Sequence, residues 1–195
     1  MGIYIHEPKI GFCMGDGMTN TGIPGAETSG SIQLKPIGIV RNQVNETVWG
    51  PELKALSWQN RVQRMGDQKR SVSEIVINPD LEEMLDGVEE FSHIMVLFWS
   101  HLVPEEKCRQ AKVHPQGNMD FPEVGVFATH SPARPNRILV TEVQLLERSG
   151  NILKVTGLDA VDGSPVLDIK SYMPVQISGE IRMPDWYRKM QQVFA

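Results

Sequence analysis

Apolar and polar positions alternate in short runs along most of this chain. VSEIVI (72–77) steps with a period of two, the mark of a half-buried strand. FSHIMVLFW (91–99) is richer in β-branched and aromatic residues, and its apolar run 94–99 suits a buried strand. IQLKPIGIV (32–40) reads as a first strand. Pro36 places it at an edge or a bulge, because proline cannot donate to a ladder. EVGVFAT (123–129), RILVTEVQLLER (137–148), ILKVTGLDA (152–160) and VLDIKSYMP (167–174) read as further strands, with Ser149-Gly150-Asn151 as a hairpin turn. Asn78-Pro79-Asp80 opens a short helix, LEEMLDGV, which Gly87 closes, and acids crowd its first turn where the helix dipole favours them. The tail 184–194 reads as a short amphipathic helix. Residues 42–70, with Trp49 and Trp58, show no clear period and read as a long functional loop. Six or seven short strands with one or two short helices predict a mainly β fold, a small closed or partly open β-barrel. The long alternating helices of a doubly wound sheet are missing.

Composition sets the boundaries. Residues 1–31 hold seven glycines and two prolines and read as a flexible N-terminal extension. The barrel domain is expected over 32–175, with a helical C-terminal tail over 176–195. A chain of 195 residues, 41% hydrophobic and 22% charged, buries a sizeable core without disulfide or metal staples. No run approaches 18 apolar residues, so no membrane span is expected. The start has no basic-then-apolar secretory pattern, and its Met-Gly is followed by His6 where a myristoylation signal needs Ser or Thr. Cys13 and Cys108 lie far apart and read as reduced thiols of a cytoplasmic protein. The net charge of −5 does not advertise a nucleic-acid binder. It is uneven, however. Arg61, Arg64, Lys69 and Arg70 stand against only Asp67, while residues 79–90 carry six acids and no base. These are two solvated faces of opposite sign, or a phosphate-tracking patch beside an acidic helix.

The usual nucleotide cradles, GxGxxG after a strand and the Walker A sequence, are absent, as are HExxH and zinc-spaced Cys/His pairs; no metal is expected. Cys108 near His101 and His114 makes a weak nucleophile–base pair, since neighbours in a proline-rich loop seldom form a dyad. Three polar clusters flank or interrupt apolar strands. His93 and His101 bracket IMVLFWS, either as structural ends or as a functional pair. Thr129-His130-Ser131-Pro132-Ala133-Arg134-Pro135-Asn136 packs hydroxyl, imidazole, guanidinium and amide groups into a loop stiffened by two prolines, which points to a binding site. Leu158, Asp159, Ala160 and Val161 lead through the turn Asp162-Gly163-Ser164-Pro165 into a strand where Asp168, Lys170 and Tyr172 alternate onto one face. That face is either a charge ladder or a proton-handling set.

FSHIMVLFW with its trailing histidine, VGVFATHSPARPN and DAVDGSPVLDIKSYMP resemble the motifs of the TsaA/TrmO (YaeB-like) family over roughly residues 34–175. The resemblance implies a small β-barrel that works as a homodimer and uses S-adenosyl-L-methionine. It implies methylation of tRNA at N6 of threonylcarbamoyladenosine beside the anticodon. Carried over residue by residue, the cofactor site takes His101, Leu102, His130, Ser131, Arg134, Asn136 and the segment Leu158, Asp159, Ala160, Val161. Asp168, Lys170 and Tyr172 match the catalytic strand, with the general base left open among Asp168, Tyr172 and His130. His130 stands where the family usually has Arg, exchanging a permanent cation for a group that titrates near neutrality. Ser164 and Ser171 replace the family's Thr and Pro, and an early Pro-Arg-Gln loop has no counterpart in 42–70. Two rival readings remain: a barrel that holds adenosylmethionine or a nucleotide without methylating tRNA, and a methyltransferase of another small substrate.

Overall fold

β-Branched residues at alternating positions supply the walls of this molecule. The computed structural model describes residues 33–45, 56–174 and 179–194. The chain divides into two units, Met1–Lys35 and Pro36–Ala195, and the architecture below belongs to the second. The expected extension 1–31 with Cys13, and Trp49, lie outside the described residues.

Six strands, β1 (Gly38–Arg41), β2 (Val72–Ile77), β3 (His93–Trp99), β6 (Ile138–Ser149), β7 (Ile152–Thr156) and β8 (Pro165–Ser171), close into a barrel in the order β1-β2-β7-β6-β3-β8. All neighbours are antiparallel. β4 (Lys112–Val113) and β5 (Val124–Gly125) form a separate two-stranded ribbon. Among the described residues the α-helices are α1 (Trp58–Arg70) and α2 (Asp185–Phe194). Inward positions follow the period of two: Val40 on β1, Ile75 and Ile77 on β2, Ile94, Val96 and Phe98 on β3, Leu153 and Val155 on β7 are all buried in one core. Gly38 is needed where β1 pairs with β2, since a Cβ there would collide with the Val76 carbonyl oxygen.

Three expectations are corrected. Residues 42–70 are not one long loop: Ser57 caps the start of α1, its hydroxyl accepting from the Asn60 amide at 3.4 Å. EVGVFAT is strand only at Val124–Gly125. The Thr129 amide and hydroxyl both donate to the Val126 carbonyl, at 3.1 and 2.8 Å, and wind Val126–Ala128 into a 3-10 turn. LEEMLDGV is not an α-helix but two 3-10 turns, Pro79–Leu85 and Val88–Glu90, broken at Gly87 with φ 85°. Arg148 explains this form. Its guanidinium donates to the Leu85 carbonyl at 3.1 Å, to Asp86 at 2.8 Å and to Glu89 at 3.2 Å. Part of the acidic stretch is therefore a socket for one arginine from β6 rather than a freely solvated face. The Glu89 carboxyl is held below its ordinary range by its own backbone amide first and by Arg148 second.

Candidate functional site

Three strand ends meet at one rim of the barrel. The register sets Trp99, the end of β3, beside Ile138 at the start of β6, and Phe98 beside Val166 at the start of β8. The segment after β3, the loop before β6 and the loop before β8 are therefore neighbours by topology alone. Ser100 ties the first two: its amide donates to the Arg137 carbonyl at 3.0 Å, and its hydroxyl lies 3.2 Å from the carbonyls of Pro132 and Arg137. His101 ties the first to the third, with Nδ1 at 3.4 Å from the Ser164 hydroxyl, which is fully buried. Gly163 turns there with φ 75°, a left-handed conformation that favours glycine. His93 is at the opposite end of β3, so only His101 of that pair belongs to this rim.

The same rim carries a cleft. β6 has 12 residues and β7 has 5. β7 pairs with β6 only from Gln144 onward, so positions 138–143 keep one edge free of β7. Beside that edge lies a cleft of about 330 Å³, in the size range of small-molecule sites. Leu139, Val140 and Thr141 form its β6 wall, Phe127, Thr129 and His130 its lip, and Arg134 and Asp159 bring opposite charges to it. The Thr141 hydroxyl donates to the Asp159 carboxylate in a short hydrogen bond. Phe127 is 78% exposed, so its ring stands at the mouth rather than within. His101 is half-buried. Burial lowers its pKa below the ordinary value, opposed by the Trp99 backbone and by Asp162, so the ring favours the neutral form at pH 7.

Of the residues expected to hold a cofactor, His130, Arg134 and Asp159 line the cleft. Ser131 shapes the loop instead: its amide donates to the Thr129 hydroxyl at 3.2 Å and its hydroxyl accepts from the Ala133 amide at 3.3 Å. Asn136 and Leu102 are exposed at the rim. Leu158, Ala160 and Val161 are buried and do not line the cleft, while Asp159 is exposed. Asp168, Lys170 and Tyr172 do not line the cleft. Asp168 and Lys170 pair at 2.7 Å on the outer face of β8, and the Tyr172 ring meets His93 edge-on at 6.3 Å. Asp168 is nonetheless in register with Leu97, and Leu97 with Val140 of the cleft wall. Two strand spacings, roughly 10 Å, separate them across one outer wall. Phe127 and Thr141 line the cleft and are not picked out by sequence reasoning, which reads both as strand interior.

Comparison with known proteins fits this geometry. A family model, the tRNA-methyltransferase O N-terminal domain, matches residues 58–176. A probable S-adenosyl-L-methionine-binding protein of Methanothermobacter thermautotrophicus is 41% identical over 141 residues, which are 72% of this chain and 90% of that protein. The human tRNA (adenine(37)-N6)-methyltransferase is 34% identical over 150 residues, 77% of this chain but 32% of the human one. A crystal structure of TrmO from Pseudomonas aeruginosa aligns with a TM-score of 0.53 at 27% identity, covering 74% of this chain and 57% of that one. The chain thus spans nearly all of the archaeal relative, about a third of the human enzyme and under two thirds of the solved bacterial chain. With the barrel, the rim and the match over residues 58–176 in agreement, this chain belongs to the tRNA-methyltransferase O family.

Proposed function

We propose that this chain is an S-adenosyl-L-methionine-dependent methyltransferase acting on N6 of an adenosine in tRNA, with the cofactor held in the rim cleft. The observation that carries the reading is a rim cleft, built from the loop before β6, β6 itself and the loop before β8, with an apolar wall and charges of both signs. That donor set suits a zwitterionic amino-acid tail joined to a purine nucleoside. Arg134 and His130 would pair with the carboxylate, Asp159 with hydroxyl or ammonium donors, and Leu139 with Val140 would offer a surface to the base. The remaining rim residues, His101, Leu102, Ser131, Asn136, Leu158, Ala160 and Val161, shape the site around these.

The cofactor supplies an electrophilic methyl on a sulfonium. The protein's part is alignment, which can provide a large share of the rate. A neutral His101 adds no cation to a rim that must accept one. The acceptor lies along the outer wall toward Asp168, Lys170 and Tyr172. Lys170 orients Asp168 at 2.7 Å, and the proton lost by N6 passes to Asp168, Tyr172 or His130. The acceptor of choice is threonylcarbamoyladenosine beside the anticodon, and the working form is a cytoplasmic homodimer. No helix among the described residues is long and apolar enough to cross a membrane. Light scattering that gave only a 21.9 kDa particle at working concentration would contradict the dimer.

Mass spectrometry of nucleosides from total tRNA, with and without the gene, tests the activity. The N6-methylated threonylcarbamoyladenosine peak should vanish on deletion, and an unchanged peak removes the tRNA reading. A second reading, a barrel that binds adenosylmethionine without methylating tRNA, is favoured by the binding-protein name of the 41% identical archaeal relative. It predicts cofactor binding with no change in tRNA.

A further inference from the structure

Asn42 directly follows β1 and lies outside the segment 58–176 matched by the family model. Its side-chain amide nitrogen donates to the Ser73 hydroxyl on β2 at 3.1 Å and to the Ala160 carbonyl at 3.0 Å. Its side-chain oxygen accepts from the Val44 amide at 2.9 Å. Its own backbone amide donates to the Asp162 carboxylate at 2.9 Å, and the Asp162 amide donates back to the Val44 carbonyl at 2.7 Å. These contacts close a ring that fastens the loop between β7 and β8 to the end of β1. Ser73 and Ala160 are almost fully buried, so water does not readily replace the bonds that the amide makes. Asp159, the carboxylate of the cleft, is the residue immediately before Ala160.

We infer that Asn42 is a positioning residue for the cofactor cleft: by gripping the Ala160 carbonyl it fixes where Asp159 stands, and with it the affinity for adenosylmethionine. The inference rests on the reading of the cleft as the adenosylmethionine site. An amide is suited to the task because one nitrogen serves two acceptors while the oxygen takes a third partner. An aspartate would turn an oxygen toward the Ala160 carbonyl and add a charge beside Asp162.

The test uses the full chain and two variants, Asn42→Ala and the near-isosteric Asn42→Asp. Asn42→Asp keeps the acceptor for Val44 and the backbone bond to Asp162. Calorimetry with adenosylhomocysteine gives Kd, and steady-state methylation of tRNA gives the separate constants. Kd and the KM for adenosylmethionine should rise about tenfold in both variants, as for the loss of one net hydrogen bond. The kcat and the KM for tRNA should stay within about twofold, as for a change confined to the cofactor's binding. A residue that served stability alone would lower the active fraction, hence kcat, and leave KM and Kd alone, and that result overturns the inference. Failure of both variants to fold would make Asn42 a determinant of the fold and overturns it too. If the native protein itself binds no adenosylhomocysteine, the cofactor reading falls and takes this assignment with it. If the native protein binds and the variants bind equally, only this assignment falls.

Discussion

His101 joins the barrel rim to the loop before β8, and burial lowers its pKa. Its contribution to stability is complete above the unfolded value of about 6.5, where the ring is neutral in both states. As pH falls through that value the unfolded chain takes the proton first, and stability is lost down to the lower folded pKa. Denaturation midpoints measured between about pH 5 and 7.5 should therefore fall more steeply for the native chain than for His101→Asn. Parallel profiles would show that the ring carries no such linkage. Nearby, Phe127 leaves an aromatic face in water at the cleft mouth. Stacking of one base on such a ring contributes about 1–3 kcal/mol. Phe127→Ala should raise the KM for tRNA about tenfold or more while the Kd for adenosylhomocysteine holds. Equal KM values would remove the ring from substrate binding. His130 makes predictions of the opposite kind. His130→Ala should weaken adenosylhomocysteine binding and His130→Arg should preserve or tighten it, as read by calorimetry. An unchanged Kd in His130→Ala would take His130 out of the site.

At the scale of elements, the strands that were plain in the sequence are those whose residues do one job. β2 is legible with its observed limits, 72–77, because Ile75 and Ile77 face the barrel core and Val76 between them does not. β3 and β6 were read to within two residues for the same reason. α1 was missed because most of its turns are polar. Trp58, Val62 and Met65 do stand at helical spacing behind Ser57, a signal too sparse to separate from a loop. The 3-10 turns were misread because their form is set by distant partners, Arg148 above all, that no local pattern announces. The candidate site was legible in its loops, His130, Arg134 and Asp159, where unlike polar groups interrupt apolar runs. The bonds that Asn42 makes to Ser73, Ala160 and Asp162 were not legible, because those partners are 31 to 120 residues away. One close crossing of elements yields its own prediction. The nearest atoms to a Cβ on Gly38 are the Val76 carbonyl oxygen and, at 2.9 Å, the Ile77 Cα, both backbone atoms with little room to give. Gly38→Ala should cost about 1–3 kcal/mol in urea unfolding. A neutral substitution would mean that β1 and β2 can move apart without loss.

At the scale of the whole molecule, the barrel does not close with equal strength all round. β3 meets β6 through seven register pairs and β8 through five, but β1 meets β8 through two, Gly38 with Val166 and Ile39 with Pro165. Pro165 has no amide hydrogen to give. Beyond those pairs the joint depends on a few bonds, from Ile37 to the Val166 carbonyl, from Val40 to the Ser164 carbonyl and from Gly163 to the Val40 carbonyl. A cylinder with one thin seam breathes there first, so these amides should exchange with deuterium sooner than those between β3 and β6. The seam is also where Asn42 and Asp162 hold the loop that carries Asp159. A molecule seated in the cleft that steadies this loop also keeps the seam shut. Cofactor should then slow exchange at Val40 and Gly163, which do not line the cleft, and the tempo of a distant strand becomes a gauge of whether the cleft is full.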